Sequence, residues 1–352
     1  MPDSTAKPHS SVTAVTPIAF VHAIMLAYQR RGMSPAGVLE KAQIAPRLLE
    51  DPGARITAWQ FQQLSDHAMR ELDDEALGWF SRRLPWGSYG MLARASISAP
   101  TLQVALARWC RHHGLIAPDL ALTLTQQQGV ARIQITELAD LGPLREFCLV
   151  SVLRNIHGLA CWYIDSRIPL RGSEFPFPAP AHAASYAVLF PGGVQFGAGH
   201  AAIHLDAQYL TLPLRRDERA LQQMLQDALP LTVLQYRRDR LLVQRVRQLL
   251  ESDPTAMHSA EALGTRMHMS PRTLHRQLKE EGATLQTLKD EVRRHRATDL
   301  LLRSRRPIKQ VAEAAGFLNE KSFIRAFKGW TGQSPAEFRR TANVTPAAPD
   351  AT

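Results

Sequence analysis

From Arg238 to Thr341 the chain carries no run in which apolar and polar residues alternate; its apolar positions recur three and four apart. That spacing predicts helices over Arg238–Leu250, Ser259–Arg266, Ser270–Glu281, Thr284–Arg303, Ile308–Ala315, Asn319–Trp330 and Pro335–Thr341. An all-α region of seven short helices joined by tight turns is therefore expected to fill 237–342.

Two stretches inside that region share one layout. In 259–282, Ala260 and Leu263 face inward on a short helix that ends near Met267, and a tight turn leads to Ser270. Serine is a favoured cap, and Pro271 follows at the first helical position, where a missing N–H costs nothing. Leu274 and Leu278 make the buried stripe, and Gly282 suits a left-handed cap. Arg272, Thr273, His275, Arg276 and Lys279 are left pointing outward. In 308–332 the arrangement repeats: Ile308, Val311, Ala312 and Ala315 pack a first helix, Gly316-Phe317 make the turn, and Asn319 caps a second helix. Phe323, Phe327 and Trp330 are its inner stripe, with Glu320, Lys321, Ser322, Arg325 and Lys328 outward. These are two helix-turn-helix patterns about 50 residues apart. Thr284–Arg303 between them reads as a rigid spacer. Two such helices held on the order of 34 Å apart would enter successive major-groove segments from one face.

An apolar stripe under exposed arginines is common to soluble helices, so charge has to discriminate. The chain of 352 residues has net charge +10. Arg237–Thr352 holds 22 Lys and Arg against 13 Asp and Glu, whereas Met1–Tyr236 holds 20 against 19. Positive charge gathered in one third implies a polyanionic partner for that part alone, nucleic acid or an anionic membrane surface. The repeated layout inside the basic third favours double-stranded DNA. Cys110, Cys148 and Cys161 form an odd set without a CxxC pair, which fits a reducing cytosol. Ile18–Leu26 is too short to cross a bilayer. A cytoplasmic protein with no membrane partner is expected.

Before the basic third the pattern is mixed. Residues 1–16 are rich in Ser, Thr and Pro and read as disordered. Helical spacing marks Pro17–Arg31, Thr57–Leu72 with a Thr cap, Thr101–His113, Leu144–Tyr163 and Asp217–Leu229. Period-two alternation at Leu120, Leu122, Leu124 and again at Ala131, Ile133, Ile135 predicts a β-hairpin. Short strands are expected at Val188–Phe190, Val194–Phe196 and Ile203–Leu205. An α+β domain over 17–229 is followed by a linker at 230–236, and the Pro/Ala-rich tail 343–352 reads as disordered.

The stretch Arg325-Ala-Phe-Lys-Gly-Trp-Thr-Gly-Gln-Ser-Pro335, with Val311-Ala-Glu-Ala-Ala-Gly-Phe317 before it and Phe338-Arg339 after, resembles the signature of AraC/XylS-type transcriptional regulators. Ser270-Pro-Arg-Thr-Leu-His-Arg-Gln-Leu-Lys-Glu-Glu-Gly282 is similar to that family's first recognition helix. The resemblance implies base contacts from Arg272, His275, Arg276, Glu320, Lys321 and Arg325, although Lys321 stands where many members carry Ser. Phosphate contacts fall to Lys279, Lys328, Arg305 and Arg306. More dispersed residues resemble the family's arabinose-binding-like sensor domain: Leu77-Gly78, Tyr89-Gly90, Pro100-Thr101-Leu102, Val194-Gln-Phe196-Gly197-Ala198 and Leu212-Pro213-Leu214. That likeness implies a sensor and dimerisation domain for a small-molecule effector, without naming the effector. An activator that works as a homodimer on promoter DNA and contacts RNA polymerase is the implied whole.

Little else in the chain suggests chemistry. Cys110 and His113 share a helix face, but two ligands do not make a zinc site. Cys110-Arg111-His112 also departs from the Pro-Cys-His-Arg run of related DNA-repair methyltransferases, which leaves an alkyl-acceptor role without its motif. No Gly-rich phosphate loop or Ser/His/Asp arrangement appears, so neither catalysis, cofactor nor metal is expected. Trp79, Trp86, Trp109 and Trp162 are candidates for lining an effector pocket. An architectural DNA binder without a ligand is the remaining alternative.

Overall fold

The chain divides into two units between Asp239 and Arg240, and the computed structural model describes residues 15–226, 241–252 and 259–343. The linker expected at 230–236 lies outside the described residues. Thr16, read from composition as part of a disordered start, instead opens β1 (Thr16–Pro17), which pairs antiparallel with β2 (Arg55–Ile56). Packing overrides composition here: Thr16 is buried, and Pro17 leads into α1 (Ile18–Gln29), whose Ile18, Val21 and Ile24 are buried too.

Two short helices, α2 (Ala36–Lys41) and α3 (Pro46–Leu49), precede α4 (Ala58–Glu71). α4 starts at the expected threonine. Thr57 Oγ1 accepts from the Gln60 N–H while the Gln60 side chain accepts from the Thr57 N–H, so two otherwise orphaned donors are satisfied together. α5 (Ser88–Ile97), which no sequence pattern announced, leads to α6 (Leu102–Ile116). α6 packs on the hairpin of β3 (Leu120–Gln127) and β4 (Val130–Glu137). Leu120, Leu122, Ala131, Ile133 and Ile135 are buried on the hairpin's inner face.

α7 (Arg145–Tyr163) follows, then β5 (Leu170–Phe175), α8 (Tyr186–Leu189), β6 (Val194–Phe196) and β7 (Ala201–Asp206). The strands form one sheet in the order β3-β4-β7-β5-β6, antiparallel except between β5 and β6. Val188–Phe190, expected as a strand, is the end of α8 and the residue after it. A run of three apolar residues has no period to read, and burial of Tyr186 against Phe175, Phe190 and Phe196 settles its conformation. α9 (Glu218–Gln226) is the described part of the helix expected over Asp217–Leu229.

The regular structure described in the second unit is all helix: α10 (Leu241–Ser252), α11 (Ala260–Met267), α12 (Pro271–Glu280), α13 (Leu285–Arg303), α14 (Ile308–Ala314), α15 (Glu320–Thr331) and α16 (Pro335–Asn343). Asn343, assigned to a disordered tail, is the last residue of α16; residues 344–352 lie outside the described set. There are two separate cores. Leu242, Val246, Leu250, Leu263, Leu274 and Leu278 make the first with Leu285, Leu288 and Val292 of α13. Val311, Ala312, Ala315, Phe323 and Phe327 make the second with Ala297 and Leu301 of the same helix. α13 is thus more than a spacer: its N-terminal half belongs to one core and its C-terminal half to the other. Arg296 of α13 reinforces the join, donating to Ala314 O at 3.3 Å and to Glu251 O at 2.6 Å.

Candidate nucleic-acid interface and ligand cavity

In the first helix pair, the turn after α11 folds straight back on its own helix. Met269 N donates to Gly264 O at 2.8 Å, and a Cβ on Gly264 would lie 2.5 Å from Met269 O. Only glycine leaves room there, and the sequence pattern did not single it out. Ser270 Oγ accepts from the Thr273 N–H at 3.2 Å, and Pro271 occupies the first position of α12. Leu274 and Leu278 are buried, while Arg272, His275, Arg276 and Lys279 are exposed. In the second pair, Asn319 Oδ1 accepts from the Ser322 N–H at 2.8 Å and starts α15. Phe323 and Phe327 are buried; Lys321, Arg325 and Lys328 are exposed and Glu320 is half-buried. Among the described residues none of these outward side chains is engaged in a salt bridge. Arg305 and Arg306 are exposed on the segment between α13 and α14.

Not all positive charge of this unit is outward. Arg293 lies over the Phe317 ring, 4.9 Å from its centroid, and donates to Gly316 O. Arg247 pairs with Glu291, and Arg296 is spent on backbone carbonyls. The charge excess counted in the sequence therefore mixes structural cations with available ones.

The first unit carries a half-open cavity of about 230 Å³ walled chiefly by α4 to α9. Trp79, Trp86 and Trp109 line it, and Trp162 does not; the Arg216 guanidinium sits over the Trp162 ring at 5.6 Å. Sequence reasoning missed the wall's polar members, Ser65, Glu75, Tyr89, Arg154 and Asn155. They come from α4, the turn after it, α5 and α7, and no local pattern marks these segments as neighbours.

Residues 32–214 match the arabinose-binding domain of the AraC transcription regulator, N-terminal part, and residues 263–341 match a helix-turn-helix domain. The chain belongs to the AraC family of transcription regulators. As an AraC-family protein it carries an arabinose-binding-like domain before its DNA-binding one. It is 26% identical over 334 residues to the ornithine utilization regulator of Pseudomonas aeruginosa, covering 95% of this chain and 98% of that one. It is 24% identical over 327 residues to the regulator VirS of Mycobacterium tuberculosis, covering 89% and 93%. Among solved structures, the regulator CdpR of Pseudomonas aeruginosa aligns over 92% of this chain and 98% of its own at 18% identity, with a TM-score of 0.33.

An alkyl-acceptor role would need Cys110 as its thiolate. The bifunctional transcriptional activator and DNA-repair enzyme AdaA of Bacillus subtilis is 32% identical over 103 residues, 29% of this AraC-family chain and 49% of AdaA. Cys110 is buried on α6, and burial pushes its thiol up to about 12. His113, one turn along, is pushed down to about 4 by the same cause. The Cys110 thiol is therefore protonated at neutral pH, whereas attack or metal binding needs the thiolate.

Proposed function

We propose that this AraC-family protein is an effector-controlled activator that reads two adjacent half-sites in promoter DNA. Arg272, His275 and Arg276 read base edges at one half-site, and Glu320, Lys321 and Arg325 at the other. Lys279, Lys328, Arg305 and Arg306 hold phosphates and set register. One observation carries the reading: two capped helices present unpaired cations, and α13 is built into both of their cores. The two reading helices are thereby held at a constant separation, as binding to successive groove segments requires.

A small-molecule effector occupies the cavity of the first unit and shifts the population of arrangements open to a homodimer. α9 is the coupling element. Its Met224 and Leu225 wall the cavity, Leu225 rests on Gly90 of α5, and the chain continues from α9 toward the second unit. Activation follows through contact with RNA polymerase in the cytoplasm. It is a regulator and not an alkyl-acceptor enzyme, a reading supported by the thiol of Cys110, which burial holds protonated at neutral pH. Since one relative is named for ornithine utilization, L-ornithine is an obvious first ligand to try.

The test is capture of sheared genomic DNA by the purified protein, followed by sequencing. Enriched fragments should share two short blocks about one helical turn apart. Uniform, salt-sensitive recovery without a shared motif would replace this reading with that of an architectural DNA coat.

A further inference from the structure

In the first helix pair the residue before the cap of the reading helix is packed away. Met269, just ahead of Ser270, lies against the core that holds Leu263, Leu274 and Leu278. An apolar residue in that place often packs on the fourth residue of the helix, which in α12 is Leu274. The second pair is built differently. Leu318 stands just ahead of the cap Asn319, and Phe323 is the fourth residue of α15. Phe323 packs instead on Phe317 and Phe327, at ring-centroid distances of 5.4 and 5.6 Å. With Phe317 in that role, Leu318 is left outside the core and is 88% exposed.

A single exposed leucine is ordinary on a protein surface, so its place has to decide. Among the described residues of the second unit, the large apolar side chains standing in solvent are Leu302, Leu318 and Ile324. Two of the three belong to α15 or to the residue before its cap, and Ile324 shares a helix side with Lys321 and Lys328. α12 has no counterpart, since each of its exposed residues is polar or charged. Residues at the head of a reading helix meet base edges in the major groove. Lys321 and Arg325 can take the acceptor atoms found there, which a leucine cannot. The base-edge group that suits a leucine is carbon, the 5-methyl of thymine.

Resting on the DNA reading above, we infer that Leu318 is a further specificity-determining residue, packing on the 5-methyl group of a thymine in the second half-site. The full chain is bound to an operator recovered by genomic capture, and the second half-site is the block whose recognition Arg325→Ala relaxes. Each thymine of that block is replaced in turn by uracil, which removes the methyl and leaves the hydrogen-bonding groups of the base in place. One replacement should weaken binding about fourfold, the worth of one buried carbon group. Leu318→Ala should bind the unaltered operator more weakly and no longer tell thymine from uracil at that position. Leu318→Met should still tell them apart. Because Leu318 lies outside the core, Leu318→Ala should melt with the unaltered protein.

Binding that is indifferent to every thymine-to-uracil exchange in that block would overturn the inference. So would an effect of equal size in Leu318→Ala, which would come from the stiffness of the DNA itself, or one abolished by Ile324→Ala instead. Leu318→Ala protein that binds every duplex as tightly as the unaltered protein would assign the leucine to a protein partner and not to DNA. A clearly lower melting temperature for that variant would make the leucine a packing residue. In all these cases the two half-sites stand. Capture that yields no shared motif would remove the base-reading itself, and this inference with it.

Discussion

Both ring nitrogens of His113 are buried without a protein partner, beside the Phe80 and Tyr89 rings. Burial lowers its pKa from 6.5 to about 4, and His157 is lowered to the same value. Above pH 6.5 both residues are neutral whether the chain is folded or not. Below it the unfolded chain takes up protons that the folded one refuses, so stability falls as pH drops from 6.5 toward 4. The slope is about 1.4 kcal/mol per pH unit for each histidine. Melts between pH 7.5 and 4.5 should show that loss, and His113→Leu should remove its share of the slope; an unchanged slope would mean that the ring takes up its proton without cost. At the other unit, Arg276→Ala or Arg325→Ala should weaken binding to a selected operator by about 1–3 kcal/mol. Binding to random DNA should change far less. Equal losses on both DNAs would move these arginines from base contact to phosphate contact.

At the scale of elements, the first helix pair depends on a cap and a close approach. Ser270→Ala removes the hydrogen bond to the Thr273 N–H and should cost about 1 kcal/mol. Gly264→Ala brings a methyl to 2.5 Å from Met269 O, a backbone atom that cannot rotate away. The expected overpacking cost of about 1–3 kcal/mol exceeds the gain of about 1 kcal/mol from helix propensity. Denaturation followed in the isolated second unit should show the loss, together with weaker operator binding. A more stable Gly264→Ala protein with unchanged affinity would contradict the turn geometry. Local signals announced several elements well: the Thr57 cap, the 120–137 hairpin and the Ser270-Pro271 start. They failed at Val188–Phe190 and at Thr16, because short segments carry too little period and take their conformation from what covers them.

For the whole molecule, charge separates the two units. The first 236 residues are nearly neutral, with 20 Lys and Arg against 19 Asp and Glu, so DNA affinity should depend on salt through the second unit alone. Four phosphate contacts per chain give a slope of log K against log salt near −3.6 on the scale of about −0.9 per contact. Replacing Lys279 and Lys328 together by alanine should bring the slope to about −1.8. Counted per bound chain, a fragment starting at Arg240 should keep the slope of the full chain. A marked change on removing the first unit would mean that it touches DNA as well.

The sequence alone determined the parts that depend on neighbours along the chain. Apolar spacing fixed which faces of α12 and α15 turn inward, caps fixed where those helices begin, and leftover Arg and Lys marked the faces turned to solvent. These are short-range consequences of helix geometry, so they can be read residue by residue. Tertiary structure decided what depends on segments far apart. Arg154, Trp79, Tyr89 and Leu225 line one cavity only because α5, α7, α9 and the loop before α5 converge, and no local pattern records an unfilled space. The role of α13 was hidden for the same reason: its apolar positions showed an inner face, while the fold divided that face between two cores.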